Sequence, residues 1–95
     1  MSAKAMSWLM ISDRSGLRDD AFRVMVYVCD RYAMGMGCLL DDRTLGRFVG
    51  SPPARVATIL GALEADGLVR LVRRAGPVAR VIVLPCDPAF AEVFE

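Results

Sequence analysis

Seven arginines fall between positions 43 and 80 of this 95-residue chain: Arg43, Arg47, Arg55, Arg70, Arg73, Arg74 and Arg80. Only Glu64 and Asp66 oppose them there, a local balance of +5 in a chain whose total is +1. A guanidinium is always charged and offers a planar fork of N–H donors that fits phosphate oxygens and other paired acceptors. Gathered in one block, such groups make a surface for anions, whatever the total charge. Thr44, Ser51 and Thr58 add hydroxyls within the same block.

Other chemistries find little material. There is no histidine, and Cys29, Cys38 and Cys86 are an odd number, widely spaced, with no CxxC pair. A zinc site or disulfide framework is therefore not expected; buried, inert thiols in a reducing cytoplasm are. The pairs Asp19-Asp20 and Asp41-Asp42 read as helix-start acids, placed where a helix dipole favours negative charge. Trp8 and Tyr32 read as core residues and not as platforms for stacking bases. Catalysis needs a nucleophile or base paired in a pocket, and the sequence offers none, so neither an enzyme nor a cofactor is expected.

The elements that must position the arginines follow from apolar spacing. Hydrophobic residues make up 55% of the chain, with a mean hydropathy of +0.39. That suffices for one core and exceeds what so small a body readily hides, which favours self-association. No apolar run approaches the roughly 20 residues of a membrane span. Residues 1–11 also lack the small-residue cleavage site of a secretory signal. No internal repeat or low-complexity linker divides residues 1–95, so one domain is expected.

Met6 to Ile11 is expected to form an apolar arm or short strand. Leu17, Ala21, Met25, Val28 and Tyr32 recur at three- and four-residue spacing and predict a helix over about 17–34, with Ser15 as its cap. Cys38-Leu39-Leu40 is a short strand. Asp41 or Asp42 caps a second helix over about 42–49, which Gly50 ends. Pro52 and Pro53 open a third over about 52–66, burying Val56, Ile59, Leu60 and Leu63. Leu68–Arg74 and Val78–Leu84, joined by Ala75-Gly76-Pro77, predict a hairpin over about 68–84. Residues 85–95 form a short tail in which Ala89–Phe94 makes a final helical turn.

The segment LGRFVGSPPARVATILGALEADGL, Leu45 to Leu68, resembles the winged helix-turn-helix of bacterial regulators. Val56, Leu60, Leu63, Glu64, Gly67, Leu68 and Val69 occupy that family's V-x-x-x-L-x-x-L-E-x-x-G-L-hydrophobic pattern. The likeness covers roughly residues 39–84. Ala21-Phe22-Arg23 is similar to the opening helix of winged-helix proteins from phages, plasmids and mobile elements, replication initiators included.

The resemblance implies an α+β fold, with a three-helix core, a short strand and a C-terminal hairpin wing. It implies binding of double-stranded DNA, in transcriptional regulation or as an accessory to replication or recombination. The third helix would enter the major groove, with Arg55 and Thr58 facing bases. Arg43, Thr44, Arg47, Ser51, Arg70, Arg73, Arg74 and Arg80 would supply phosphate or wing contacts. Pro53, Ala54, Ala57 and Gly61 stand where base-reading side chains usually project, so direct readout would be sparse and DNA shape would carry much of any specificity. A homodimer is expected on that ground, held through Met6, Trp8, Leu9, Met10 and Ile11 or through Phe90, Val93 and Phe94; the alternative is that these ends fold back on their own domain. The alternative function is the same fold serving only as a protein-interaction module.

Overall fold

The computed structural model of the protein describes residues 3–11, 19–73 and 80–95. Its architecture is α+β. In chain order come α1 (Ala3–Ile11), α2 (Asp19–Arg31), β1 (Cys38–Leu39), α3 (Asp42–Val49), α4 (Pro53–Ala65), β2 (Arg70–Arg73), β3 (Arg80–Val83) and a 3₁₀ helix (Pro88–Phe94). The expected cap Ser15, the helix start at Leu17, Arg74 and the Ala75-Gly76-Pro77 turn lie outside the described residues.

α2 organises the helical layer, packing against α1, α3 and α4 and also touching β1. Val24, Met25, Tyr27, Val28 and Cys29 are its buried residues. They meet Leu45 and Val49 of α3 and Val56, Ile59, Leu60 and Leu63 of α4 in one core. The strands form an antiparallel sheet in the order β1-β3-β2. Being central, β3 is covered on both faces, so Val81, Ile82 and Val83 are all buried and only Arg80 is exposed.

Two expectations need correction. Met6–Ile11 belongs to a helix, α1, and not to an arm or strand. Ala5 and Leu9, one turn apart, are buried against the core, with Met6 and Trp8 packed beside them. The core therefore draws on a fourth α-helix. Burying a side chain the size of Leu9 stabilises by roughly 1.5–3 kcal/mol, which offsets the weak intrinsic stability of a nine-residue helix. The second correction is to α2, which stops at Arg31 and does not run on to residue 34. Residues 33–37 instead make a tight reversal, with Ala33 N–H donating to Gly37 O (3.1 Å) and Gly37 N–H to Ala33 O (2.8 Å).

The tail is also more firmly tied than a tail need be. Asp87 is buried and caps the 3₁₀ helix by accepting from Ala89 N–H at 3.1 Å. Phe90 and Phe94 are half-buried. Of the apolar side chains expected to mediate pairing, Met10 and Val93 are the ones described as exposed.

Candidate functional site

Asp41 starts α3. Its carboxylate accepts from Thr44 N–H at 3.2 Å and from the Thr44 hydroxyl at 2.7 Å. Those two bonds, the hydroxyl's first, hold the Asp41 carboxyl below its ordinary value. Thr44, expected to meet phosphate, thus spends its hydroxyl on the cap. Arg43 and Arg47 are exposed on the same helix.

The turn from α3 to α4 depends on two glycines. Gly50 closes α3 in the left-handed region (φ 77°), and the N–H groups of Gly50 and Ser51 both donate to Gly46 O, at 2.8 and 3.0 Å. Gly46 lies inside α3, where a Cβ would stand 2.9 Å from Ser51 O. Any side chain there would push the two helices apart. α4 then begins at Pro53, with Pro52 as N-cap and no side chain capping it.

Two shallow, open grooves flank this turn and share Gly50 and Ser51. One, of about 390 Å³, is lined by Arg43 and Arg47 with Asp42, Gly46 and Pro53. The other, of about 450 Å³, is lined by Asp19, Asp20 and Arg23 with Val49. The turn therefore separates a mainly cationic groove from a mainly acidic one, and half-buried Ser51 borders both.

Arg55 projects from the first turn of α4 and remains partly exposed. The resemblance leaves it free to face a base, but its Nη2 donates to Asp20 Oδ2 at 2.7 Å. The Thr58 hydroxyl, also exposed, donates to Ala54 O one turn earlier on the same helix at 3.1 Å.

The hairpin divides its arginines by role. Arg70 is half-buried; its Nη1 donates to Glu64 O (2.6 Å) and Val69 O (3.1 Å), and its guanidinium lies 5.4 Å from the centre of the Phe94 ring. It fastens β2 to α4 and the tail, in place of the expected phosphate contact. Glu64 completes that junction by accepting from Leu71 N–H at 3.1 Å. Arg73 and Arg80, by contrast, are exposed and directly opposite one another across β2 and β3. No ion pair holds either of them among the described residues. Arg74 lies outside those residues.

The structure thus brings Arg43, Arg47 and Ser51 to one groove and pairs Arg73 with Arg80, while Arg55, Thr58, Thr44 and Arg70 hold internal partners. Sequence reasoning missed Asp20 and Glu64 as partners of these elements. Asp20 reads locally as a helix-start acid and Glu64 as one place in the pattern that carries the resemblance, and neither reading requires a distant partner. A further unforeseen feature is the Arg31 guanidinium, 4.1 Å from the Tyr27 ring centre and 5.9 Å from that of Phe48. Among the described residues no group of His, Cys, Asp or Glu could hold a metal ion. No described helix is long and apolar enough to cross a membrane. The chain matches no protein-family model, no curated protein and no solved structure.

Proposed function

We propose that the chain is a winged helix-turn-helix protein that binds double-stranded DNA, with α3 and α4 as the helix pair and β2–β3 as the wing. The Arg73–Arg80 pair carries this reading. Like charges directly opposite on a sheet repel, at roughly 0.2–1 kcal/mol, and no fold needs them. A polyanion placed between two such arginines turns the repulsion into attraction. The groove lined by Arg43 and Arg47 beside the start of α4 supplies a second place for phosphate. α4 enters the major groove, and the chain acts as a transcriptional regulator or as an accessory in replication or recombination.

The test is a binding titration of a mixed-sequence duplex against salt. Each phosphate neutralised contributes about 0.9 to the slope of log affinity against log salt, so a slope of several units is expected. Absence of binding at low salt overturns the proposal. It would leave the protein-interaction module, which the exposed apolar side chains of Phe22, Met36, Leu39 and Phe48 favour. Pairing of two copies on a two-fold DNA site would compensate for the sparse hydrogen-bonding face of α4, and sedimentation with and without duplex checks it.

A further inference from the structure

We infer that Asp20 is a specificity-determining residue, which positions Arg55 for one guanine while weakening contact with DNA in general. The inference rests on the duplex-binding reading above. Asp20 stands in the first turn of α2, and its carboxylate is held at both oxygens: Oδ1 accepts from Ala21 N–H at 2.8 Å and Oδ2 from Arg55 Nη2 at 2.7 Å. The side chain is one-quarter exposed, so it is a partly shielded post for the guanidinium.

Arg55 is tied to that post by one nitrogen only, and its side chain remains 42% exposed. The rest of its fork still presents a pair of N–H donors, which is what the O6 and N7 acceptors of guanine require. A long exposed side chain normally loses much rotamer freedom on meeting a base. Here the ion pair has removed part of that freedom beforehand.

The same carboxylate acts on phosphate with the opposite sign. Asp20 and Asp19 line the groove that reaches Gly50 and Ser51, beside the start of α4. Their negative charge opposes a phosphate there, and a neutral base edge feels it far less. Asp20 therefore favours base contact over backbone contact at Arg55, raising discrimination at some expense of general affinity.

The experiment uses the full chain and a pool of duplexes with a randomised core, followed by titrations on the selected duplex and its single-base variants. Wild type, Asp20→Ala, Arg55→Ala and the double variant are compared. Wild type discriminates at one guanine by roughly 5- to 150-fold. Asp20→Ala lowers that ratio by roughly threefold or more, while affinity for the base-substituted duplexes holds or rises. In the Arg55→Ala background, Asp20→Ala leaves the ratio unchanged. Asp20→Asn, which keeps a hydrogen-bonding oxygen but no charge, gives the same direction should the alanine variant fail to fold.

Unchanged discrimination in Asp20→Ala and Asp20→Asn overturns the inference, as does an equal loss in both backgrounds. Binding of duplexes by wild type without an Arg55-dependent base preference overturns it too, and leaves the DNA-binding reading standing. If wild type binds no duplex at low salt, both fall together.

Discussion

The Tyr32 hydroxyl donates to Asp87 Oδ2 across 2.8 Å and accepts from Leu84 N–H at 3.1 Å, joining the end of α2 to the end of β3 and to the tail. Asp87 extends the network, accepting from Gly35 N–H at 2.9 Å and Ala89 N–H at 3.1 Å. Tyr32→Phe removes the shared hydroxyl and leaves Leu84 N–H and one Asp87 lone pair buried without a partner. A destabilisation of roughly 1–3 kcal/mol is expected. Urea unfolding checks this: the midpoint should fall with the slope unchanged.

Asp87 also sets an acid limb. Burial by itself pushes its carboxyl up, but the hydrogen bonds from Gly35, Tyr32 and Ala89, with the charge of Lys4, outweigh burial and hold it below the ordinary 3.8. A carboxyl lowered on folding contributes stability that is present above its unfolded value and is lost as pH falls through its folded one. Asp87→Asn cannot titrate. The stability gap between wild type and this variant should be widest near neutrality and narrow as pH drops below about 3.8. A gap that stays constant into acid contradicts the assignment.

The hairpin arginines should separate by experiment. Arg73→Ala and Arg80→Ala relieve like-charge repulsion, so each should leave stability equal or raise it slightly, by up to about 1 kcal/mol. Each should also lower the salt slope of duplex binding by about 0.9, the share of a single neutralised phosphate. Arg70→Ala should behave in reverse, costing about 1 kcal/mol of stability with little change in salt slope, since its donors are spent on Glu64 O and Val69 O. Thermal unfolding and the duplex titration together check the contrast.

Gly46→Ala tests the helix-to-helix turn. The added methyl meets Ser51 O at 2.9 Å and has no flexible neighbour to displace. The expected cost is roughly 1–3 kcal/mol, as for overpacking elsewhere. Gly50→Ala meets nothing but must adopt φ 77°, at about 1–2 kcal/mol. The two variants should be destabilised to a similar degree for different reasons. Only Gly46→Ala should move α4 relative to α3, seen as amide shift changes along both helices.

The thiols should react in order of access. Burial pushes Cys29 up to about 12, with Cys86 and Cys38 nearby adding to it, and burial pushes Cys38 to about 11 against the pull of Arg31. Half-buried Cys86 is also raised. At mildly alkaline pH a thiol reagent should label Cys86 first and the other two only on unfolding. Labelling of Cys29 in the folded chain at the rate of a free thiol would contradict this.

Several elements are legible because their signals are local. α3 and α4 fall within a residue of the spans their spacing and capping residues predict, since Asp41, Gly50 and the Pro52-Pro53 pair act on backbone a few positions away. The two hairpin strands lie inside the β-branched runs that predict them. α1 is not legible in the same way, because Met6, Trp8, Leu9, Met10 and Ile11 are apolar on every side. A short run of that kind has no period to distinguish helix from strand until a neighbour selects one face.

The sequence by itself determined which residues are cations, where α3 and α4 begin and end, and which apolar positions of α4 must face inward. Those are properties of side-chain type and of backbone geometry over one or two turns. Tertiary structure decided what each of those cations meets. Arg55 meets Asp20 from 35 positions away, Tyr32 meets Asp87 from 55, and Arg70 turns back to Phe94 while Arg73 comes to face Arg80. Each of these depends on how α2, α4 and β3 pack around a common core, and no local pattern encodes the approach of two side chains so distant in the chain.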